Sequence, residues 1–297
     1  MTEQAAAGTP PLEVWTAGGY ELAEGSIWVS GRLVFVDILG GTLLEAPGTG
    51  PGEARVLARF DVPLGAVAPV AGRPGEWIAA AGTGVALIGR DGGLNWIDRP
   101  EDGAAVAMRM NDGCCDPGGR FWAGSMSYDL VPGAGSLYRV GADGAVRRVL
   151  DGMTVVNGPA FTADGSLMYV ADTYAGLIFA CQLDPAGEIT SQVTFAEIPE
   201  SEGGPDGMTV DAQGRLWVAL WDGSVVRRYR PDGSVEATIP VPARRPTSVC
   251  LGGPDGGRLF VTTARIGLSD PGPESGAVLS AQVEASAPPA AEFAGLP

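Results

Sequence analysis

The 297-residue chain contains no histidine, and all 19 of its basic residues are arginine, so lysine is absent as well. Without histidine there is no Ser-His-Asp triad, no Cys-His pair and no histidine-ligated zinc. Without lysine there is no Schiff-base nucleophile. A general base in this protein must be a carboxylate, a thiolate, a tyrosine or a metal-bound hydroxide, and a metal site must be built largely from oxygen. Long apolar runs are also missing, none reaching the roughly 18 residues of a membrane-spanning helix. Residues Met1–Pro11 have neither a basic n-region nor an apolar h-region, so no signal peptide is expected. The four cysteines, Cys114, Cys115, Cys181 and Cys250, form no CxxC motif. They read as four reduced thiols in a cytoplasmic protein. Only 18% of the residues are charged, yet the formal net charge is −16. Such a surface repels phosphate backbones and anionic lipid, so no nucleic-acid partner and no membrane partner is expected. Most of this charge serves solubility, and a minor part suits a site that attracts a cation.

Glycine is plentiful, at 46 residues with 24 prolines, and 45% of the chain is hydrophobic. That combination suits many tight turns between short strands and argues against disorder. The glycines are also periodic. A glycine turn followed by an apolar or aromatic run occurs at Ser30–Phe35, Pro74–Ile78, Gly118–Trp122, Asp164–Tyr169, Gln213–Trp217 and Gly256–Phe260. The steps between successive second glycines are 44, 44, 46, 49 and 43 residues. A period in the forties with strand-like units predicts a β-propeller, one four-stranded blade per copy. The fold expected is all-β: a six-bladed propeller, one domain with a central channel. It spans residues 12–283, between a loose N-terminal tail (1–11) and an Ala/Pro-rich C-terminal tail (284–297). The equivalent strands are Leu33–Asp37, Trp77–Ala81, Phe121–Gly124, Leu167–Asp172, Leu216–Leu220 and Leu259–Thr263. Asp143-Gly144, Ala186-Gly187 and Asp232-Gly233 mark a second set of hairpin turns. Closure should pair a strand near Leu12–Thr16 with one near Ala277–Val283, which removes the exposed edge. No helix is expected. Trp28, Trp122 and Trp217 read as equivalent core positions.

Four segments upstream of the glycine turns carry polar residues where apolar ones would suffice. Glu24 lies 7 residues before its glycine, and Asn111, Asn157 and Asp206 lie 8 before theirs. Singly, Asn111-Asp112-Gly113, Asn157-Gly158 and Asp206-Gly207 are ordinary turn sequences. Together their common phase places two carboxylates and two amides near the propeller axis, an oxygen-rich set suited to a hard divalent cation such as calcium.

The same stretches carry a resemblance. Glu24–Trp28, Arg109–Gly113 with Asp116–Met126, Asn157-Gly158-Pro159 through Thr173, Pro205–Trp217, and Pro246–Ser248 with Leu259–Ala264 are similar to the senescence-marker-protein/gluconolactonase family of regucalcin-like sugar lactonases. The similarity runs over residues 20–268. It implies a six-bladed propeller with one divalent metal in the channel, calcium first, with zinc, manganese or iron(II) as alternatives. By this resemblance Glu24, Asn157 and Asp206 bind the metal, Arg109 and Asp129 hold the substrate, and Asn111 lies beside the metal, touching substrate or completing the coordination. Asp206 or a metal-bound hydroxide activates water to open a sugar (aldono-) lactone. The partner implied is a small-molecule lactone, the protein being a monomer or weak oligomer. Three departures bear on the substrate. Asp129 stands where the family often has glutamate, Cys114 where a basic residue is common, and Gly40–Leu44 where an arginine is usual. The alternatives are a hydrolase of phosphorus esters like the diisopropylfluorophosphatase propellers, a hydrolase of a natural-product lactone, or a non-enzymatic calcium-binding propeller.

Overall fold

The structure, a computed structural model, describes residues 11–296. Six four-stranded antiparallel sheets form the blades of a propeller. The inner strands are Ala23–Val29, Leu64–Pro69, Met108–Cys115, Val156–Phe161, Gly204–Val210 and Pro246–Gly252, in blades 1 to 6. Blades 1 to 5 each run outward from the axis in chain order. In blade 6 the outermost strand is Glu13–Thr16 from the start of the chain, paired with Val278–Gln282. This is the expected closure, and it turns an open fan of sheets into a ring without free ends. The only helical element among the described residues is one 3₁₀ turn, Glu200–Glu202.

The periodic glycines make the hairpin between the first and second strands of each blade. In two blades the turn is built the same way. The Asp116 carboxylate accepts hydrogen bonds from the Arg120 backbone N–H (3.0 Å), Arg120 Nε (2.7 Å) and Trp122 Nε1 (2.9 Å). Asp211 does the same with Arg215 N and Nε and with Trp217 Nε1. A buried indole N–H thus finds its acceptor in a buried carboxylate, and a buried carboxylate finds an arginine. Trp122 and Trp217 are fully buried on second strands. Trp28 is not their equivalent, since it ends an inner strand and stacks on Phe260, ring centroids 5.4 Å apart. The apolar clusters lie between blades: Tyr169, Met208 and Leu216 weld blades 4 and 5, and Trp217, Leu259 and Leu279 weld blades 5 and 6.

The C-terminal segment corrects an expectation. Its composition suggests a loose tail, but residues 284–296 run across the lower face of the ring. Ala212 N donates to Ser286 O (3.1 Å) in blade 5. Phe293 N donates to Pro69 O and Ala71 N to Phe293 O (both 2.8 Å) in blade 2. Ala294 N donates to Gly119 O (2.8 Å) in blade 3. Blades 5 and 2 face each other across a six-membered ring, so the strap spans the channel. Phe293 anchors it, fully buried among Val70, Phe121 and Val140. Proline and alanine carry no specific strand signal, but they form an extended chain that crosses a gap at little entropic cost. Residues 1–10 of the expected N-terminal tail lie outside the described residues. No helix among the described residues is long and apolar enough to cross a membrane.

Candidate active site

All six inner strands lose regular pairing at one level. The irregularities fall between Glu24 and Ile27, Leu64 and Ala66, Met110 and Gly113, Asn157 and Ala160, Pro205 and Met208, and Pro246 and Val249. A bulge inserts residues without ladder partners and re-aims side chains. The candidate residues sit at this ring of bulges, and the pairing refines their phase. Glu24 and Asn157 are the last regularly paired residues before the bulge, whereas Asn111 and Asp206 are the first inside it. The bulge lets both kinds of position face the axis. Space there is tight. A Cβ on Gly65 would fall 2.2 Å from the Asn111 carbonyl oxygen, so blade 2 can approach the site only with glycine at that position.

Glu24, Arg109, Asn111, Asn157 and Asp206 are all buried in this layer. Arg109 donates to Asn111 Oδ1 (2.6 Å) and to the Met110 carbonyl (3.0 Å). Asn111 Nδ2 donates to Val156 O (2.9 Å) and to Asn157 Oδ1 (2.8 Å). Asn157 Nδ2 donates to Thr173 Oγ1 (2.7 Å), whose own hydrogen goes to Pro205 O (2.6 Å). The direction of the chain is fixed by chemistry. Backbone carbonyls only accept, so Thr173 must donate to Pro205 and accept from Asn157, and Asn111 must present its NH₂ to Val156. Asn157 Oδ1 therefore faces the site with one lone pair taken by Asn111 and one left.

Three carboxylates share the layer. Glu24 is pushed well above the usual carboxylate range, first by burial and then by Asp206. Asp206 is raised by burial and by Asp112, and Asp112 by burial and by Glu24. Burial pulls the Arg109 guanidinium below its ordinary value, against the attraction of Tyr128, Glu24 and Asp206. One buried cation thus faces three mutually repelling acids. The Asp112 oxygens are occupied by the backbone N–H groups of Gly113 (2.8 Å) and Gly158 (3.1 Å). Glu24 takes the Gly25 N–H on one oxygen. Among the described residues, no three His, Cys, Asp or Glu side chains gather as a ligand cluster. The oxygens this layer could offer a cation are those of two carboxylates, Glu24 and Asp206, with the amide oxygen of Asn157. All are hard oxygens, and a divalent cation among them would reverse the repulsion that raises both acids. The residues therefore fit a hard divalent ion, with the remaining positions left to water or substrate.

The structure gathers five of the six expected residues in this layer. Asp129 is the exception, standing exposed on the loop after Ser127. Asn111 lies at the site but has both amide hydrogens committed to Val156 and Asn157, so it orients Asn157 and offers no free donor to a substrate. Asp112 and Thr173 were visible in the sequence only as part of a turn and as a residue after a strand. Asp112 joins the acidic layer, and Thr173 sets the Asn157 amide. Asp172 ties its strand end to the Thr154 and Val155 N–H groups (2.9 and 3.2 Å), as Asp37 does for Glu21 and Leu22. Its role is to hold the entrance to the inner strand. Below the polar layer lies a cavity of about 410 Å³, lined by Ile27, Trp28, Phe161 and Met208 and floored by Pro288–Ala291 of the strap. Cys114 borders it and donates its thiol to Pro159 O at 2.9 Å. All four cysteines are free, and burial pushes Cys114 and Cys115 well above the ordinary thiol value and Cys181 and Cys250 to about 12.

Residues 22–265 match the model of the SMP-30/Gluconolactonase/LRE-like region. An L-arabinolactonase of Azospirillum brasilense is 39% identical over 199 residues, 65% of this chain and 66% of that protein. A pentonolactonase of Haloferax volcanii is 36% identical over 82% of this chain and 81% of its own. The crystal structure of a calcium-binding protein, regucalcin, from Agrobacterium tumefaciens superposes with a TM-score of 0.87 at 28% identity. That superposition covers 96% of this chain and 97% of the other.

Proposed function

The chain belongs to the SMP-30/gluconolactonase/LRE-like family, and on that premise we propose that it is a divalent-metal-dependent lactonase acting in the upper half of its channel. The observation that carries this reading is the directed hydrogen-bond chain from Arg109 through Asn111 to Asn157, beside the buried Glu24–Asp206 pair. Relatives named L-arabinolactonase and pentonolactonase support a lactone ester as the bond broken. The regucalcin named as a calcium-binding protein supports calcium as the first ion to test, with zinc, manganese and iron(II) as alternatives.

In this reading Glu24, Asn157 and Asp206 hold the ion, which when bound polarises the lactone carbonyl and stabilises the negative charge that develops on it. The Asp206 carboxylate takes the proton of the attacking water and returns it to the leaving ring oxygen. The Arg109 guanidinium has its Nη1 committed to Met110 and Asn111, and its remaining N–H groups orient the substrate. Asn111 acts by fixing the Asn157 oxygen. Asp129, on the rim, meets the part of the substrate that extends out of the channel. The layer is buried, so these charges are screened less than they would be in water. Four free thiols support a reducing, cytoplasmic compartment as part of the same reading.

The test is indicator-coupled hydrolysis of a lactone panel, with a fluorophosphonate included, on chelated protein to which calcium, zinc, manganese and iron(II) are returned one at a time. Metal-restored ring opening that Asp206→Ala abolishes is expected. Fluorophosphonate turnover without lactone turnover would move the substrate to phosphorus esters. No turnover with any ion bound would refute the hydrolase reading.

A further inference from the structure

Nine large hydrophobic side chains are exposed among the described residues. Val14, Val56, Trp96, Val193 and Val235 all lie on the outermost strands of blades, where every propeller meets solvent. The other four are placed differently. Leu39, Tyr128, Leu130 and Tyr174 lie on loops joining second to third strands, in blades 1, 3 and 4, on the face where the inner strands begin, the end of the channel nearer the polar layer. Tyr128 is 49% exposed, Leu130 40% and Tyr174 62%.

Two of these residues are joined through their backbone to segments that carry the candidate site. The Tyr128 N–H donates to Ala107 O (3.0 Å), on the segment leading to Arg109. Tyr174 follows Thr173, the residue that holds the Asn157 amide. Leu130 stands in the left-handed region at φ 51°. A leucine there is sterically disfavoured, and glycine or asparagine would be easier. Its loop is nonetheless ordered: the Ser127 hydroxyl accepts the Val131 N–H at 2.7 Å, and Ser127 O accepts the Leu130 N–H at 3.2 Å. An apolar side chain held exposed on a strained backbone, on the face where the inner strands begin, indicates that the apolar surface is useful where it stands.

The polar side of recognition is comparatively bare. Both Asn111 amide hydrogens are committed within the protein, which leaves Arg109 and the rim carboxylate of Asp129 for ring hydroxyls. We propose that Tyr128, Leu130 and Tyr174 determine substrate specificity, forming an apolar wall on blades 3 and 4 that receives an alkyl or aryl substituent of the lactone. The favoured substrates are then lactones with an apolar chain on the ring. This rests on the lactonase reading above.

The experiment compares γ-valerolactone with γ-nonalactone, the same ring bearing a methyl or a pentyl group, together with an aldonolactone, on the full chain reconstituted with the ion that supports turnover. The four extra methylenes are each worth roughly fourfold if fully buried, so half coverage on an open wall gives roughly tenfold. Wild type is expected to show about ten times the kcat/KM on γ-nonalactone, the gain residing in KM. Tyr174→Ala and Leu130→Gly should each cut that preference by about threefold or more. Leu130→Gly should also melt no lower than wild type, because glycine accepts the left-handed backbone. Equal kcat/KM on the two alkyl lactones, or a preference that both variants leave intact, overturns the proposal. Opening of the aldonolactone alone overturns it and leaves the lactonase reading standing. Failure to open any lactone with any ion refutes that reading and takes this one with it.

Discussion

Replacing Phe293 by alanine tests whether the Ala/Pro-rich C-terminus is a structural strap. Phe293 is fully buried between blades 2 and 3, and its backbone carries two of the hydrogen bonds that dock the segment. Truncating a buried phenylalanine costs about 3–5 kcal/mol when the surroundings cannot collapse. Here the loss has a ceiling, because a strap can detach whole, and the cost then stops at the free energy of its docking. A loss of about 3 kcal/mol is expected. In a chain of this size that lowers Tm by roughly 5 °C, read by circular dichroism melting. Detachment has its own signature. Thermolysin followed by mass spectrometry should find cleavage between Ala285 and Ala294 in the variant at a protein concentration and time that leave wild type intact. The strap crosses the lower mouth and the candidate residues sit near the upper ends of the inner strands, so metal-dependent turnover at 25 °C should stay within about twofold. A variant that melts within a degree of wild type and resists cleavage would refute the docking argument. Loss of turnover at temperatures where the variant is folded would show that the two mouths are coupled.

Other expectations follow from the polar layer and the turns. Because Glu24, Asp112 and Asp206 are raised above the ordinary carboxylate range, the stability linked to them is full below that range and falls as pH rises through the raised values. Chelated protein should therefore melt lower at pH 8 than at pH 5, and a divalent ion should close the gap; equal melting at both pH values without metal would contradict the burial argument. Asp206→Asn should lower metal-dependent turnover at least about 100-fold while raising the melting temperature of chelated protein at pH 8, since it removes one of three repelling charges. Asn111→Ala should weaken calcium binding by roughly 10–100-fold in calorimetry, and unchanged affinity would remove Asn111 from its orienting role. Asp116→Ala strips the acceptor from buried Trp122 and Arg120 and should cost about 2–4 kcal/mol in urea unfolding.

Much of the fold is legible because it is repeated. A single glycine turn is weak information, but six at a near-constant step define both the blade and the ring. The strands Trp77–Ala81 and Leu167–Asp172 have the bounds that alternation assigns them. The pairing of the chain ends follows from the need to close the ring. The site residues were legible through phase, with an error that the structure explains. Counting back from the glycines assumes a regular ladder, and the inner strands are bulged at the level where these residues sit.

The amino-acid sequence by itself narrowed the class of chemistry, since a chain without histidine or lysine must build a metal site largely from oxygen and take its base from a carboxylate, a thiolate, a tyrosine or a metal-bound hydroxide. It also determined the architecture, through local turns and alternation repeated six times. Tertiary structure alone decided which of the polar residues share one buried layer. Asp112 entered because it falls within the bulge of an inner strand, and Asp129 stayed on the rim because it lies on the loop between the second and third strands of blade 3. Asn111 became the group that aims Asn157 because the strands beginning at Met108 and Val156 are neighbours in the ring. The C-terminal segment became a strap for the same kind of reason. Its extended backbone and single phenylalanine have no local preference, and only the gap between blades 2 and 3 gives Phe293 somewhere to go.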